Sequence, residues 1–144
     1  MEWKQPEGLR RHWMLEELDA EILFVPMPVD GAQGRVDDDV FDLRDGGVLR
    51  KRRTILREGE TVATLEERDG GAGGTLTMGE RRYQWKPTSP LGTRWTLAQE
   101  GGEPVFTLAM KPGLGKTARL ELHAPEAEGL SPLLLLCWYA TVLS

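Results

Sequence analysis

Cysteine is nearly missing from this sequence of 144 residues: Cys137 stands alone, which excludes a disulfide-stapled scaffold. Histidine is almost as scarce. His12 and His123 lie far apart, and neither sits in a metal-ligand spacing with another candidate. An excess of positive charge is missing too. Eighteen Lys and Arg face 23 Asp and Glu, for a net charge of -5 and a pI near 5.1. That argues against nucleic acid as a partner, since such domains usually show a pI above about 9. No apolar run reaches membrane-spanning length, so no transmembrane span is expected. The longest, Leu133 to Leu143, would measure roughly 17 Å as a helix, whereas a span takes about 20 apolar residues. Met1 is followed by neither a Gly nor a basic region with an apolar run, and Ala140 to Ser144 holds no prenylation Cys. A cytoplasmic location, at most peripheral to a membrane, is the expectation.

What remains is ample for one domain over residues 1–144. The chain is 40% hydrophobic and 28% charged, and a chain of this length hides roughly two-thirds of its unfolded surface on folding. Seventeen Gly and nine Pro divide it into short pieces. From Val48 onward the pieces read as strands: Val48 to Leu56, Thr61 to Glu67, Thr75 to Met78, Arg81 to Lys86, Thr93 to Gln99, Pro104 to Met110 and Thr117 to His123. Short strands separated by Gly and Pro signals are the pattern of an antiparallel sandwich or barrel. Tyr83 and Trp85 share one face, with Arg82, Gln84 and Lys86 opposite. Phe106, Leu108 and Met110 share another, as do Leu120 and Leu122. Period two with one apolar side means that each strand covers a core on one face and meets water on the other.

The first third leaves alternatives open. Met14, Leu18, Ile22 and Val25 fit a helical stripe, while Ile22 to Val25 fits a strand with Asp19-Ala20 as a hairpin turn. Val29 to Asp39 reads as a polar loop. At the other end, Ser131 and Pro132 read as a helix start, and the residues from Leu133 to Leu143 carry no charge. A helix that is apolar on every side must be buried on every side. Among short antiparallel strands, a barrel closed around it does that, with 132–143 as the central buried helix.

These features resemble the tubby C-terminal-like superfamily, which includes the plant LURP-one-related proteins and the phospholipid scramblases. The strand series from Thr61-Val62-Ala63-Thr64-Leu65 to Arg119-Leu120-Glu121-Leu122 and the ending Pro132 to Leu143 carry the resemblance. It implies a twelve-stranded antiparallel barrel with the C-terminal helix threaded through its centre. Tubby domains bind phosphoinositide head groups through external Lys and Arg, and scramblases are associated with calcium and acylated cysteines. This chain has no cysteine cluster and no acidic loop of EF-hand pattern, so no functional residue is carried over.

The sequence offers few constellations for chemistry. Gly113-Leu114-Gly115-Lys116-Thr117 mimics the end of a P-loop, but Met110 stands where the motif needs its first Gly, and the residues after it alternate like a strand. Gly70 to Gly74 lacks the GxGxxG spacing and reads as a hairpin tip. Cys137 reads as a small buried hydrophobe. No nucleophile, base and orienting group can be assembled, so no catalytic residue, metal or cofactor is expected. The basic run Arg50, Lys51, Arg52 and Arg53 is the weak candidate for an anion or lipid site. On a strand, two of the four would point at the core, where unpaired charge is prohibitively costly. Pairing with the acidic stretch Asp37 to Asp45, a solvated rim, or a head-group site each answers that. The expected function is a non-catalytic binding domain whose partner is another protein or an anionic lipid head group.

Overall fold

The computed structural model describes residues 1–5, 12–24, 31–46, 51–68, 73–112 and 117–143, and among them it is mainly β. The strands are β1 (Glu2–Trp3), β2 (His12–Leu15), β3 (Ala20–Phe24), β4 (Gly31–Val36), β5 (Asp39–Gly46), β6 (Arg52–Arg57), β7 (Glu60–Glu67), β8 (Gly74–Met78), β9 (Arg81–Pro87), β10 (Arg94–Gln99), β11 (Pro104–Met110) and β12 (Ala118–Leu122); the helix α1 (Leu130–Leu143) follows them. They form one twelve-stranded antiparallel sheet in which β2 to β12 follow chain order and β1 lies beside β12. The circle is nearly closed by Lys4 and Met14, which exchange two backbone hydrogen bonds of 3.0 and 2.8 Å between β1 and β2. That bridge leaves little free edge to attract a foreign strand.

The inner faces carry the core. Leu15, Ile22, Leu43, Ile55, Leu65, Leu76, Tyr83, Leu97, Phe106 and Leu120 all point inward and are buried. Helix α1 fills the space they enclose, and Leu133 to Ala140 are buried on every side. Its first turn absorbs Pro132 without loss, because the first four amides of a helix have no partner within it. The helix begins at Leu130, so Ser131 and Pro132 lie inside the first turn rather than ahead of it. Trp138 stacks on Trp3 of β1 with ring centroids 5.5 Å apart and planes 1° from parallel.

Two readings of the first third resolve here. The segment around Met14 and Ile22 is a pair of strands, β2 and β3, joined by a single 3-10 turn at Glu16–Leu18. The polar loop expected from Val29 to Asp39 is corrected: β4 occupies Gly31–Val36, hydrogen-bonded to both β3 and β5. Its inward residues Ala32 and Gly34 are small, and at Gly34 the helix passes close by. A Cβ added to Gly34 would stand 3.0 Å from Leu135 Cδ1. Val29 and Asp30 lie outside the described residues, as do Gly70 to Ala72 and Gly113 to Lys116. The Ala118–Leu122 strand beyond the P-loop-like run is as expected.

The connections at the two mouths differ in charge. At the mouth where α1 begins, the links are 16–19, 37–38, 58–59, 79–80, 100–103 and 123–129. Each contains at least one Asp or Glu, and none contains Lys or Arg. The tight turns among them place Asp37 at φ 52° and Glu58 at φ 52°; Asp tolerates that left-handed conformation better than most side chains do. This acidic mouth meets the positive end of the α1 dipole.

Candidate functional site

At the opposite mouth, where α1 ends, antiparallel register gathers residues that are scattered along the chain. Glu66 of β7 faces Arg52 of β6, Gly74 of β8 faces Trp85 of β9, and Trp95 of β10 faces Pro87 of β9. The neighbouring ends of β6 to β10 therefore present Lys51, Arg52, Arg68, Lys86 and Arg94, all exposed. Arg52 pairs with Glu66 at 3.3 Å. Among the described residues Lys51, Arg68, Lys86 and Arg94 have no carboxylate partner. The 88–93 connection at this mouth carries Leu91, 88% exposed. Its base is fixed by Ser89, whose Oγ accepts from the amides of Thr93 and Arg94 at 3.0 and 3.1 Å.

Beneath this rim lies a charge cluster. Arg53 points inward and is 2% exposed. Its Nε donates to Glu67 Oε1 at 3.2 Å, its Nη2 to Glu67 Oε2 at 3.4 Å, and its Nη1 lies 3.5 Å from Asp45 Oδ1. One of the two inward positions of the basic run is thus real, and it is matched by carboxylates on both neighbouring strands. Replacing Arg53 with Met should cost about 3 kcal/mol, because a half-buried carboxylate is left unpaired, whereas Arg53→Met with Glu67→Leu should recover most of it. Chemical denaturation measures both, and a loss below about 1 kcal/mol for the single variant would show that the pair carries little. The four candidates therefore separate: Arg53 is internal, Arg52 is paired on the wall, Lys51 stands on the rim, and Arg50 lies outside the described residues.

Beside Glu67 the mouth holds a cavity of about 80 Å³ lined by Glu67, Arg68, Gly73, Trp85, Trp95, Ala140 and Thr141. Trp85 is buried and Trp95 half-buried. Their ring centroids are 5.4 Å apart and their planes inclined by 31°. The Trp95 indole N–H donates to the Gly92 carbonyl at 3.0 Å, which fixes the ring on the cavity's outer side.

Among the described residues no three of His, Cys, Asp and Glu group as a metal site. Burial pushes the Cys137 thiol well above its ordinary range, so it is inert as a nucleophile. On the outer wall Thr107 lies 2.9 Å from His123 and 3.0 Å from Thr96, a hydroxyl–imidazole contact between neighbouring strands. Also on the wall, Glu21 lies between Arg35 and His12, each 3.0 Å away. The Arg35 guanidinium, with His12, holds the Glu21 carboxyl below its usual range. Its contribution to stability is therefore present above the ordinary carboxylate pKa and lost as pH falls through the depressed one. Among the described residues no helix is long and apolar enough to cross a membrane. In comparisons with known proteins, no family model, no curated protein and no solved structure matches the chain.

Proposed function

We propose that this protein is a non-catalytic binding module that docks, basic mouth first, on anionic lipid head groups at a membrane surface. One observation carries the reading: four exposed cations, Lys51, Arg68, Lys86 and Arg94, with no carboxylate partner among the described residues, stand along the ends of β6 to β10 at one mouth of the barrel. The β9–β10 connection at the same mouth carries Leu91, the most exposed large apolar side chain described. Cations beside an anionic surface contribute about 1 kcal/mol each, and a protruding Leu gains by entering the interface. The acidic mouth is repelled by the same surface, so one orientation is selected despite the net charge of -5. The twelve strands around a C-terminal helix are also what the resemblance to the tubby C-terminal-like superfamily implies, and we place the chain with that group as part of the proposal.

Co-sedimentation with vesicles tests it. At low salt the protein should pellet with phosphatidylserine-containing vesicles and be released as salt rises. The variant Lys51→Glu, Arg68→Glu, Lys86→Glu, Arg94→Glu should bind at least about 100-fold more weakly, given about 1 kcal/mol per cation, with unchanged thermal stability because all four side chains are exposed. Absence of binding at low salt, or equal binding by the variant, sinks the reading. A partner protein would then be the remaining occupant of the rim.

A further inference from the structure

The cavity under the basic rim differs in chemistry from the rim itself, and its walls define a ligand. Two indoles in mutual contact, Trp85 and Trp95, line it, and the negative face of an aromatic ring attracts a cation within about 6 Å of its centroid. Glu67 lines the same space, its carboxylate held in place by Arg53. Ala140 and Thr141 bring in the carboxyl end of α1, where the helix dipole is negative. Against these stand Arg53, occupied by Glu67 and Asp45, and Arg68, an exposed lining residue that has no carboxylate partner among the described residues. The inner wall thus favours positive charge and the outer edge favours negative charge. The volume, about 80 Å³, holds between two and three waters at about 30 Å³ each. That accommodates a compact branched ammonium group and excludes a sugar ring or an acyl chain.

We infer that the Trp85–Trp95 cavity binds a quaternary ammonium group, the choline end of a phosphocholine unit, with the adjoining phosphate at Arg68. The inference deepens the membrane reading, since it adds a recognised head group to a charged rim. The two fail separately, because a soluble ligand can enter the cavity with no vesicle present. The source of the ligand is either a lipid head group or the free phosphocholine ester, and the chemistry of recognition is the same for both.

The test uses the full chain and follows the Trp95 indole N–H resonance, a local probe bound to the Gly92 carbonyl. Titration with phosphocholine should shift it saturably in the millimolar range. The neutral isostere 3,3-dimethylbutyl phosphate, which has carbon in place of the ammonium nitrogen, should bind about tenfold more weakly, as expected for a desolvated cation against an aromatic wall. Arg68→Ala, at an exposed position that leaves the fold intact, should weaken phosphocholine several-fold and leave choline itself unchanged. Trp95→Leu, read by the amide shifts of Ala140 and Thr141, should remove the preference for the ammonium over its isostere. Equal affinity for the two compounds overturns the inference, as does the lack of any saturable shift. If soluble phosphocholine binds, displacement by phosphatidylcholine vesicles assigns the lipid as the ligand, and failure of displacement assigns the free ester; both outcomes uphold the site.

Discussion

Leu135→Asp should leave no cooperatively folded protein. Leu135 is fully buried in the middle of α1 and packs closely against Gly34 of β4. The substitution removes a buried aliphatic side chain, which costs about 2–5 kcal/mol. It also places a carboxylate where none of the described charges can reach it, at a cost of several kcal/mol more. The sum matches or exceeds the whole stability of an ordinary domain, about 5–15 kcal/mol. Near-ultraviolet circular dichroism and thermal scanning should show loss of the tryptophan signal and of any sharp transition. Asp at Leu134 or Trp138 should do the same, since both are buried to within 2%. Leu91→Asp, at the exposed tip, is the control and should unfold like the unaltered protein. A sharp transition for Leu135→Asp within a few degrees of that control would mean that the helix is not enclosed.

Trp3→Ala is expected to open the barrel at one place before it unfolds the rest. β1 has two residues, too few to hold a place in a sheet by hydrogen bonding alone. What holds it is Trp3, fully buried and stacked on Trp138. Truncating a buried tryptophan costs about 3–5 kcal/mol, and the stacking adds about 0.5–1.5 kcal/mol. Part of this is returned, because the indole N–H of each ring is buried without an acceptor, an arrangement with its own cost. The loss should appear locally in hydrogen exchange. The Met14 amide donates to the Lys4 carbonyl at 2.8 Å and the Leu120 amide to the Met1 carbonyl at 2.6 Å. Those two should lose protection in the variant while the amides of β7 to β9 keep theirs. Unchanged protection at Met14 and Leu120 would show that β1 stays in place without its anchor.

The parts of this fold that could be read from sequence are those where burial follows a simple period. β9 is legible because Tyr83 and Trp85 alternate with charged or polar residues, and α1 is legible because nothing in it is polar enough to face water. β4 was hidden by the helix itself. Its inward positions had to be Ala32 and Gly34 for α1 to pass, and small residues carry no hydrophobic signal. β1 was hidden by length, since two residues have no period. The basic run announced that some of its side chains must turn inward, and Arg53 does; its partner Glu67, on the next strand, could be found only from register. The rim was harder still. Lys51 belongs to the basic run, but Arg68, Lys86 and Arg94 lie in separate segments, and only the pairing of β6 to β10 makes the four neighbours. A signal did exist in the order of the links: every second one, starting at Glu16, is acidic without Lys or Arg. An antiparallel sheet sends alternate links to opposite mouths.

The chain order of the core has a consequence for how the protein comes to exist. All twelve strands precede the helix that they surround, so during synthesis the inner faces are complete before anything is available to fill them. The helix offers no polar side that would let it rest on a half-built sheet. Nor can the sheet close on its own, because β1, which precedes the other strands, must wait for Trp138, which follows all of them. Folding is therefore deferred until α1 has emerged, and its decisive contacts join segments far apart in sequence. Such topologies fold slowly and expose apolar strands in the meantime, so the growing chain is a natural client for chaperones until α1 is made.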